Sequence, residues 1–181
     1  SKAIQDLLGL EEGERLDHQI ILGVITEMRF KKTKKGEKMA LIQVEDMTGS
    51  MECLLFPDTL KSLEASIQTG SPMVINITVE YIEEGIRSTV NDIISIEEYL
   101  TSKARGMVLH IKEEELDLQL LNKMGDLIAV HKGEKPLFFA VYNGTKRTLL
   151  QVGKDFWIEL TPGSIRDFST LPRIDSLTIL G

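Results

Sequence analysis

Along the first hundred residues, apolar and polar positions alternate with a period of two, the mark of strands with one covered face. Ile20, Leu22, Val24 and Thr26 share one face of a run over 18–30, and Gly23 inside it predicts a bend in a strongly curved strand. A polar loop over 31–36 follows. Met39, Leu41 and Gln43 then alternate with Ala40, Ile42 and Val44. "EDMTGS" supplies Asp46 and Gly49 for a tight turn, and a third strand spans 50–56. Pro57 fits the first turn of a helix, Leu60, Leu63 and Ile67 recur at helical spacing over 59–68, and Gly70 ends it. "PMVINITVEYI" predicts a fourth strand, 83–85 a turn, and "IRSTVNDIISIEE" a fifth strand.

Three strands, a helix and two strands over 17–97 follow the order of the OB-fold, a small Greek-key barrel. An open meander would show the same periodicity. Residues 1–16 form a lead-in with a small apolar face of Ile4, Leu7 and Leu8. The pattern breaks over 98–105, which reads as a short helix or linker. A second unit follows over 106–181. Its elements are a strand "MVLHI", an amphipathic helix over 113–131 carrying Leu116, Leu120 and Leu127, and a turn at 132–135. A hairpin of "PLFFAVYN" and "RTLLQV" across Gly144, a short strand "FWIEL", a helix opened by Thr161 and Pro162, and a last strand "IDSLTIL" complete it. The expected fold is mixed: a five-stranded OB-fold β-barrel followed by a small α+β domain.

Charge changes this picture. The chain carries a formal net charge of -7, yet the ten residues from Arg29 to Lys38 carry a net +5. In a barrel of this order that stretch joins the first two strands, and this loop, with the face of strands two and three, is where OB-folds grip oligonucleotides. Lysine ammonium groups displace counterions from phosphates, and at physiological salt the Debye length of about 8 Å screens the distant acidic groups. Arg29, Lys31, Lys32, Lys34, Lys35 and Lys38 are therefore the candidate phosphate contacts. Phe30 and Phe56, at strand ends, are candidate stacking groups, with Tyr81 and Arg87 as further ones. Lysines at a solvated hairpin tip would also discourage strand aggregation, with no ligand at all.

Other chemistry finds little support. His18, His110 and His131 lie far apart without metal-ligand spacing, and no Gly-rich phosphate loop is present. The pairs Glu11 and Glu12, Glu83 and Glu84, and Glu97 and Glu98 sit at turns or strand ends and read as solvated. No catalytic residue, metal or cofactor is expected. The lone Cys53 lies in an apolar run and reads as a buried thiol, so no internal disulfide forms and a reducing compartment is expected. The sequence shows no apolar run long enough for a membrane span and no signal peptide, so no membrane partner and a cytoplasmic location are expected. Ser1 is not a natural initiator, and the chain is expected to be a fragment of something longer. "QDLLGL" loosely matches peptides that dock on sliding clamps, but an amphipathic lead-in helix packing on the barrel accounts for the same residues. Trp157 and Phe156, with Phe138, Phe139 and Phe168, concentrate aromatics in the second unit, which reads as core and leaves room for a protein-docking face.

The stretch from Leu10 to Leu60 resembles the OB-fold region of the bacterial replicative DNA polymerase III alpha subunit. The likeness rests on Gly23, the loop Thr33, Lys34, Lys35 and Gly36, the turn from Glu45 to Ser50, and the exit Phe56 and Pro57. "KARGMVLHI" and "LDLQLLNKM" resemble that family's entry into its C-terminal domain. The resemblance implies a barrel that guides single-stranded DNA template, and a last domain that docks the tau subunit of the clamp loader and so joins the other polymerase III holoenzyme subunits. It places the family's catalytic aspartates upstream, in a palm domain absent here, so this fragment should not polymerise DNA. It assigns the tau contact to the last helix and strand, with Ser164, Phe168, Ile174, Leu177 and Leu180 as contact residues. Two alternatives stand beside it: an OB-fold tRNA-anticodon-binding module, whose expected "R-x-x-G" loop and following synthetase domain are not seen, and a pure protein-interaction module.

Overall fold

The computed structural model describes residues 2–181 and divides the chain into two compact units, one ending at Ile96 and one from Glu97 to Gly181. Ser1, the first residue of the expected lead-in, lies outside the described residues. The first unit holds α1 (Ile4–Leu7), β1 (Arg15–Lys32), β2 (Lys38–Glu45), β3 (Ser50–Leu55), α2 (Pro57–Leu63), β4 (Pro72–Ile82) and β5 (Gly85–Ser95). The strands close into a barrel in the order β1-β2-β3-β5-β4, and the one parallel pairing, Cys53 with Ser88 and Leu54 with Thr89, completes the ring. This is the OB-fold expected from the element order.

β1 belongs to two ladders. Its first half pairs with β4 and its second half with β2, and Val24 stands in both, opposite Pro72 and opposite Glu45. Gly23 allows the crossing. A Cβ there would lie 2.8 Å from the Glu45 carbonyl oxygen and 2.8 Å from Val44 Cγ1, so any side chain would push β2 away. Bulges between Leu16 and Gln19 and between Ile25 and Glu27, on either side of Gly23, shift the covered face. Ile21 and Ile25 point into the barrel, while Leu22, grouped with Ile20 and Val24 by alternation, is exposed. From the other strands, Ala40, Ile42, Val44, Met51, Cys53, Leu55, Ile75 and Ile77 fill the interior. Each fully buried aliphatic side chain contributes about 1.5–3 kcal/mol.

The lead-in is part of this core. Ile4 and Leu7 are wholly buried in the same cluster. Asp46, in the β2–β3 turn, holds them there: its carboxylate accepts from Ile4 N at 2.8 Å, Thr48 N at 2.7 Å and Gly49 N at 3.0 Å. Burial pushes the Asp46 carboxyl up, but the bonds from Thr48, Ile4 and Gly49 together outweigh it and hold it below the usual carboxylate range.

α3 (Ile96–Glu98) begins at the last residue of the first unit and runs into a π-helical turn over Tyr99–Lys103 that buries Leu100, so this stretch is ordered helix and not extended linker. β6 (Gly106–Lys112), α4 (Leu118–Val130), β7 (Lys132–Lys135), β8 (Leu137–Asn143), β9 (Lys146–Gln151), α5 (Pro162–Ser169) and β10 (Ser176–Leu180) follow. The sheet runs β10-β6-β8-β9, with β6 and β8 parallel. Met107, Leu109, Ile111 and Leu137 on one sheet face are buried, as are Leu120, Met124 and Ile128 at four-residue spacing on α4.

One expectation changes in the first unit, where α2 ends at Leu63 and not at 68, so Gly70 lies beyond it, and three change in the second. α4 starts at Leu118 and not at 113, because the Asp117 carboxylate accepts from Leu120 N at 2.8 Å and caps the helix, leaving Glu113–Glu115 as a separate 3-10 turn. Residues 132–135 form β7 and not a turn: Lys132 and Lys135 both bridge Ile158. Gly133 makes that approach possible, since a Cβ there would meet Glu159 N at 2.4 Å. "FWIEL" is correspondingly no strand, and meets β7 through the Ile158 bridges and through the Trp157 carbonyl, which accepts from Gly133 N at 3.0 Å. Among the described residues no helix is long and apolar enough to cross a membrane.

Candidate nucleic-acid interface

The basic stretch is a hairpin whose strands run further than alternation predicts. Lys31 and Lys32 end β1, Lys38 opens β2, and only 33–37 is loop. Thr33 N donates to the Glu37 carbonyl at 2.9 Å and Gly36 N to the Thr33 carbonyl at 2.9 Å. Gly36 takes a φ of +84°, the left-handed position such a turn requires. Lys34 and Lys35 are left at the tip, exposed.

Cross-strand register then sorts the side chains into rows. Phe30, Ala40 and Leu55 stand in one row, and Ala40 and Leu55 are wholly buried, so Phe30 belongs to the inner face at the barrel's end. Phe56, one residue beyond Leu55, turns to the outer face. On that outer face Lys31 stands opposite Met39. Arg29, Leu41 and Leu54 form the next row, and Glu27, Gln43 and Glu52 the one after. The surface is graded from cationic at the loop, through apolar, to acidic.

The expected phosphate contacts therefore divide. Arg29 is held at 3.0 Å by Glu52 and at 3.4 Å by Glu27. Lys38 is 2.6 Å from Glu64 and lies over the Phe30 ring at 4.0 Å. Lys31, Lys32, Lys34 and Lys35 are exposed and form no ion pair among the described residues. Both phenylalanines are accessible, Phe30 at 51% and Phe56 at 45%, but they face opposite sides and only Phe56 shares the outer face with Lys31. Tyr81 and Arg87 lie on β4 and β5, and Arg87 is bound by Glu80 at 2.5 Å. A groove of about 530 Å³ crosses β2, β3 and β5, lined by Gln43, Glu52, Leu54, Glu84 and Arg87 among others. Its carboxylates mark the end a phosphate backbone would avoid. Met39, Leu54 and Glu52 were not singled out from the sequence. The register that places them becomes visible only once β2 is paired on both sides.

The expected docking residues of the second unit also divide. Ser164 and Phe168 are wholly buried, so neither can meet a partner's surface. Ser164 closes a capping box, accepting from Thr161 N at 2.9 Å while its own N–H donates to Thr161 Oγ1 at 3.1 Å. Phe168 packs its ring 6.2 Å from His131. Helical amphipathicity points such residues inward, which a reading by resemblance alone did not weigh. Ile174, Leu177 and Leu180, on and just before the edge strand β10, stay partly accessible.

Residues 20–96 match the tRNA anti-codon family, an OB-fold nucleic acid binding domain. DNA polymerase III subunit alpha of Pseudomonas fluorescens is 30% identical over 145 residues, covering 79% of this chain and 12% of that protein. The same subunit of Pseudomonas aeruginosa is 26% identical over 145 residues, covering 79% and 12%. A mitochondrial single-stranded DNA binding protein of S. cerevisiae superposes with a TM-score of 0.38 at 14% identity, over 46% of this chain and 95% of that one. The chain is thus similar to the alpha subunit of DNA polymerase III, as its motifs predict, and it spans 12% of the length of the first two relatives.

Proposed function

We propose that this chain, a relative of the DNA polymerase III alpha subunits that contains their OB-fold region, binds single-stranded DNA template on the outer face of β1–β3. One observation carries the reading. Four lysines that form no ion pair among the described residues, Lys31, Lys32, Lys34 and Lys35, are gathered where the first two strands meet, beside the outer-face residues Met39, Leu41 and Leu54 and with Phe56 accessible at the end of β3. Lysines would hold phosphates and Phe56 would stack a base, a combination tolerant of sequence. The fragment would act without a catalytic group of its own, within a cytoplasmic polymerase whose nucleotidyl transfer lies elsewhere.

The test is fluorescence anisotropy of a labelled single-stranded 20-mer across a salt series, against the protein and its K31A/K32A/K34A/K35A variant. Four phosphate contacts give a log–log salt slope of about -2.8, and a threefold rise in salt then costs about twentyfold in affinity. The variant should lose most of that slope. Equal slopes in the two proteins would overturn the reading. The match to an anticodon-binding type of OB-fold keeps RNA as the second reading. Deacylated tRNA competing at lower concentration than the 20-mer would favour it.

The second unit is read as the docking domain for the tau subunit, which would bring the other polymerase III subunits into reach. Ile174, Leu177 and Leu180, accessible along β10, are its contact residues. Tau binding that survives L177E and L180E would exclude that edge.

A further inference from the structure

β9 is the opposite edge of the second unit's sheet, and every residue from Lys146 to Gln151 is exposed. Leu149 and Leu150 are 54% and 47% accessible. Edge strands are ordinarily protected by charged side chains, bulges, prolines or a covering element, and on β9 charge guards only the first two positions, Lys146 and Arg147. Here the register with β8 runs unbroken from Asn143 opposite Lys146 to Phe138 opposite Gln151, with no bulge and no proline. Val152 N donates to the Leu137 carbonyl at 3.1 Å. The alternation of an antiparallel pair then turns the N–H and C=O groups of Arg147, Leu149 and Gln151 away from β8, free to pair outward. A groove of about 350 Å³ lies beside the strand, its wall formed by Leu116, Val141, Thr148 and Leu150, with Lys146 and Glu113.

We propose that β9 is a docking edge that takes, as a fifth strand of this sheet, an extended peptide in which an apolar stretch is followed by acidic residues. Added strands draw affinity from main-chain hydrogen bonds and specificity from pockets for alternate side chains. Both parts are in place: the outward backbone groups, and the groove under the face that carries Thr148 and Leu150. Charge selects the occupant. Lys146 and Arg147 form no ion pair among the described residues, and Arg147 lies over the Tyr142 ring at 5.9 Å, so the strand opens with two uncompensated cations. An incoming strand that runs antiparallel and sets its acidic residues beside them would place its apolar residues along Leu149 and Leu150. The proposal is independent of nucleic-acid binding by the barrel.

The test selects a random octapeptide library, displayed on phage, against the immobilised protein, and measures the winning peptide by anisotropy and amide hydrogen exchange. Enriched peptides should carry apolar residues in their N-terminal half and two or more acids in their C-terminal half, and binding should protect the amides of Arg147, Leu149 and Gln151. L149P removes one outward donor, keeps the β8 ladder, and should abolish binding. K146E/R147E, a surface change that leaves the core intact, should weaken the winning peptide about tenfold and turn the selection towards basic peptides. Peptides that bind both variants unchanged would overturn the proposal, as would a library that yields no binder. A concentration-dependent dimer that protects the same three amides and is lost in L149P would overturn it too, by giving the edge to a second copy.

Discussion

The Arg29 guanidinium stands 3.0 Å from the carboxylate of Glu52, two strands away across the barrel's outer face, and 3.4 Å from that of Glu27 on its own strand. A cation expected to meet phosphate is thus held by the protein's own anions. Pairs this exposed are worth about 0.2–1 kcal/mol each, so a phosphate can displace them. Removing a carboxylate both frees Arg29 and relieves repulsion of the DNA. E52Q should therefore raise affinity for single-stranded DNA about two- to fivefold and steepen the salt slope by about 0.7. A salt titration by anisotropy checks both values. An unchanged slope would mean that Arg29 stays with Glu27.

The two phenylalanines should behave differently. F56A should weaken oligonucleotide binding by about 1–3 kcal/mol, the usual loss of a base-stacking platform. F30A should leave binding nearly unchanged and lower stability instead, because the Phe30 ring sits in the inner row under Lys38. Titrations and urea melts of both variants separate the effects. A larger binding loss in F30A would reverse the assignment of faces.

Gly23 tests the closure of the barrel. G23A places a Cβ 2.8 Å from the Glu45 carbonyl oxygen and from Val44, and overpacking of that kind costs about 1–3 kcal/mol. The urea midpoint should fall with an unchanged denaturant slope.

Cys53 gives a pH dependence. Burial pushes its thiol up from 9.0 to about 12, with the Glu52 charge adding to the effect. The unfolded chain releases that proton at the ordinary thiol value, and the folded chain holds it. The thiol's contribution is therefore full below about pH 9 and is lost as pH rises through about 12. At neutral pH the thiol should react with an aromatic disulfide reagent only as fast as the barrel opens. In C53A the alkaline part of the stability profile should flatten.

Much of the barrel was legible because period-two alternation is strong where one strand face is covered. Pro57 and the "EDMTGS" turn also mark element ends without tertiary help, whereas α2 stops at Leu63, well before Gly70. Alternation alone could not choose the inner face of β1, because apolar residues stand on both faces between the bulges at Leu16/Gln19 and Ile25/Glu27, and the pairing with β4 hides Ile21 and exposes Leu22. The candidate interface was legible as a charge excess but not as a geometry. The pairing of Arg29 with Glu52 depends on β2 lying between them, and that of Lys38 with Glu64 on where α2 ends. In the second unit Asp117 was a visible cap signal before α4. The short strand β7 had no such signal, since it pairs with an irregular stretch over 157–158, far along the chain.

The double membership of β1 sets an order of assembly. Its second half meets β2 through the lysine hairpin, where Lys32 faces Lys38 across a loop of five residues. Its first half must wait for β4, where Leu16 faces Val79. Loop-closure entropy favours the near pairing over the distant one, and long-range strand pairings fold slowly. The hairpin would thus form early, with an unfilled edge and a half-built apolar face. The like charges at its tip would then repel other nascent hairpins until β4 arrives. The same lysines would serve solubility during folding and phosphate binding afterwards, so alanine at the tip should lower refolding yield at high protein concentration even where the final stability is unchanged.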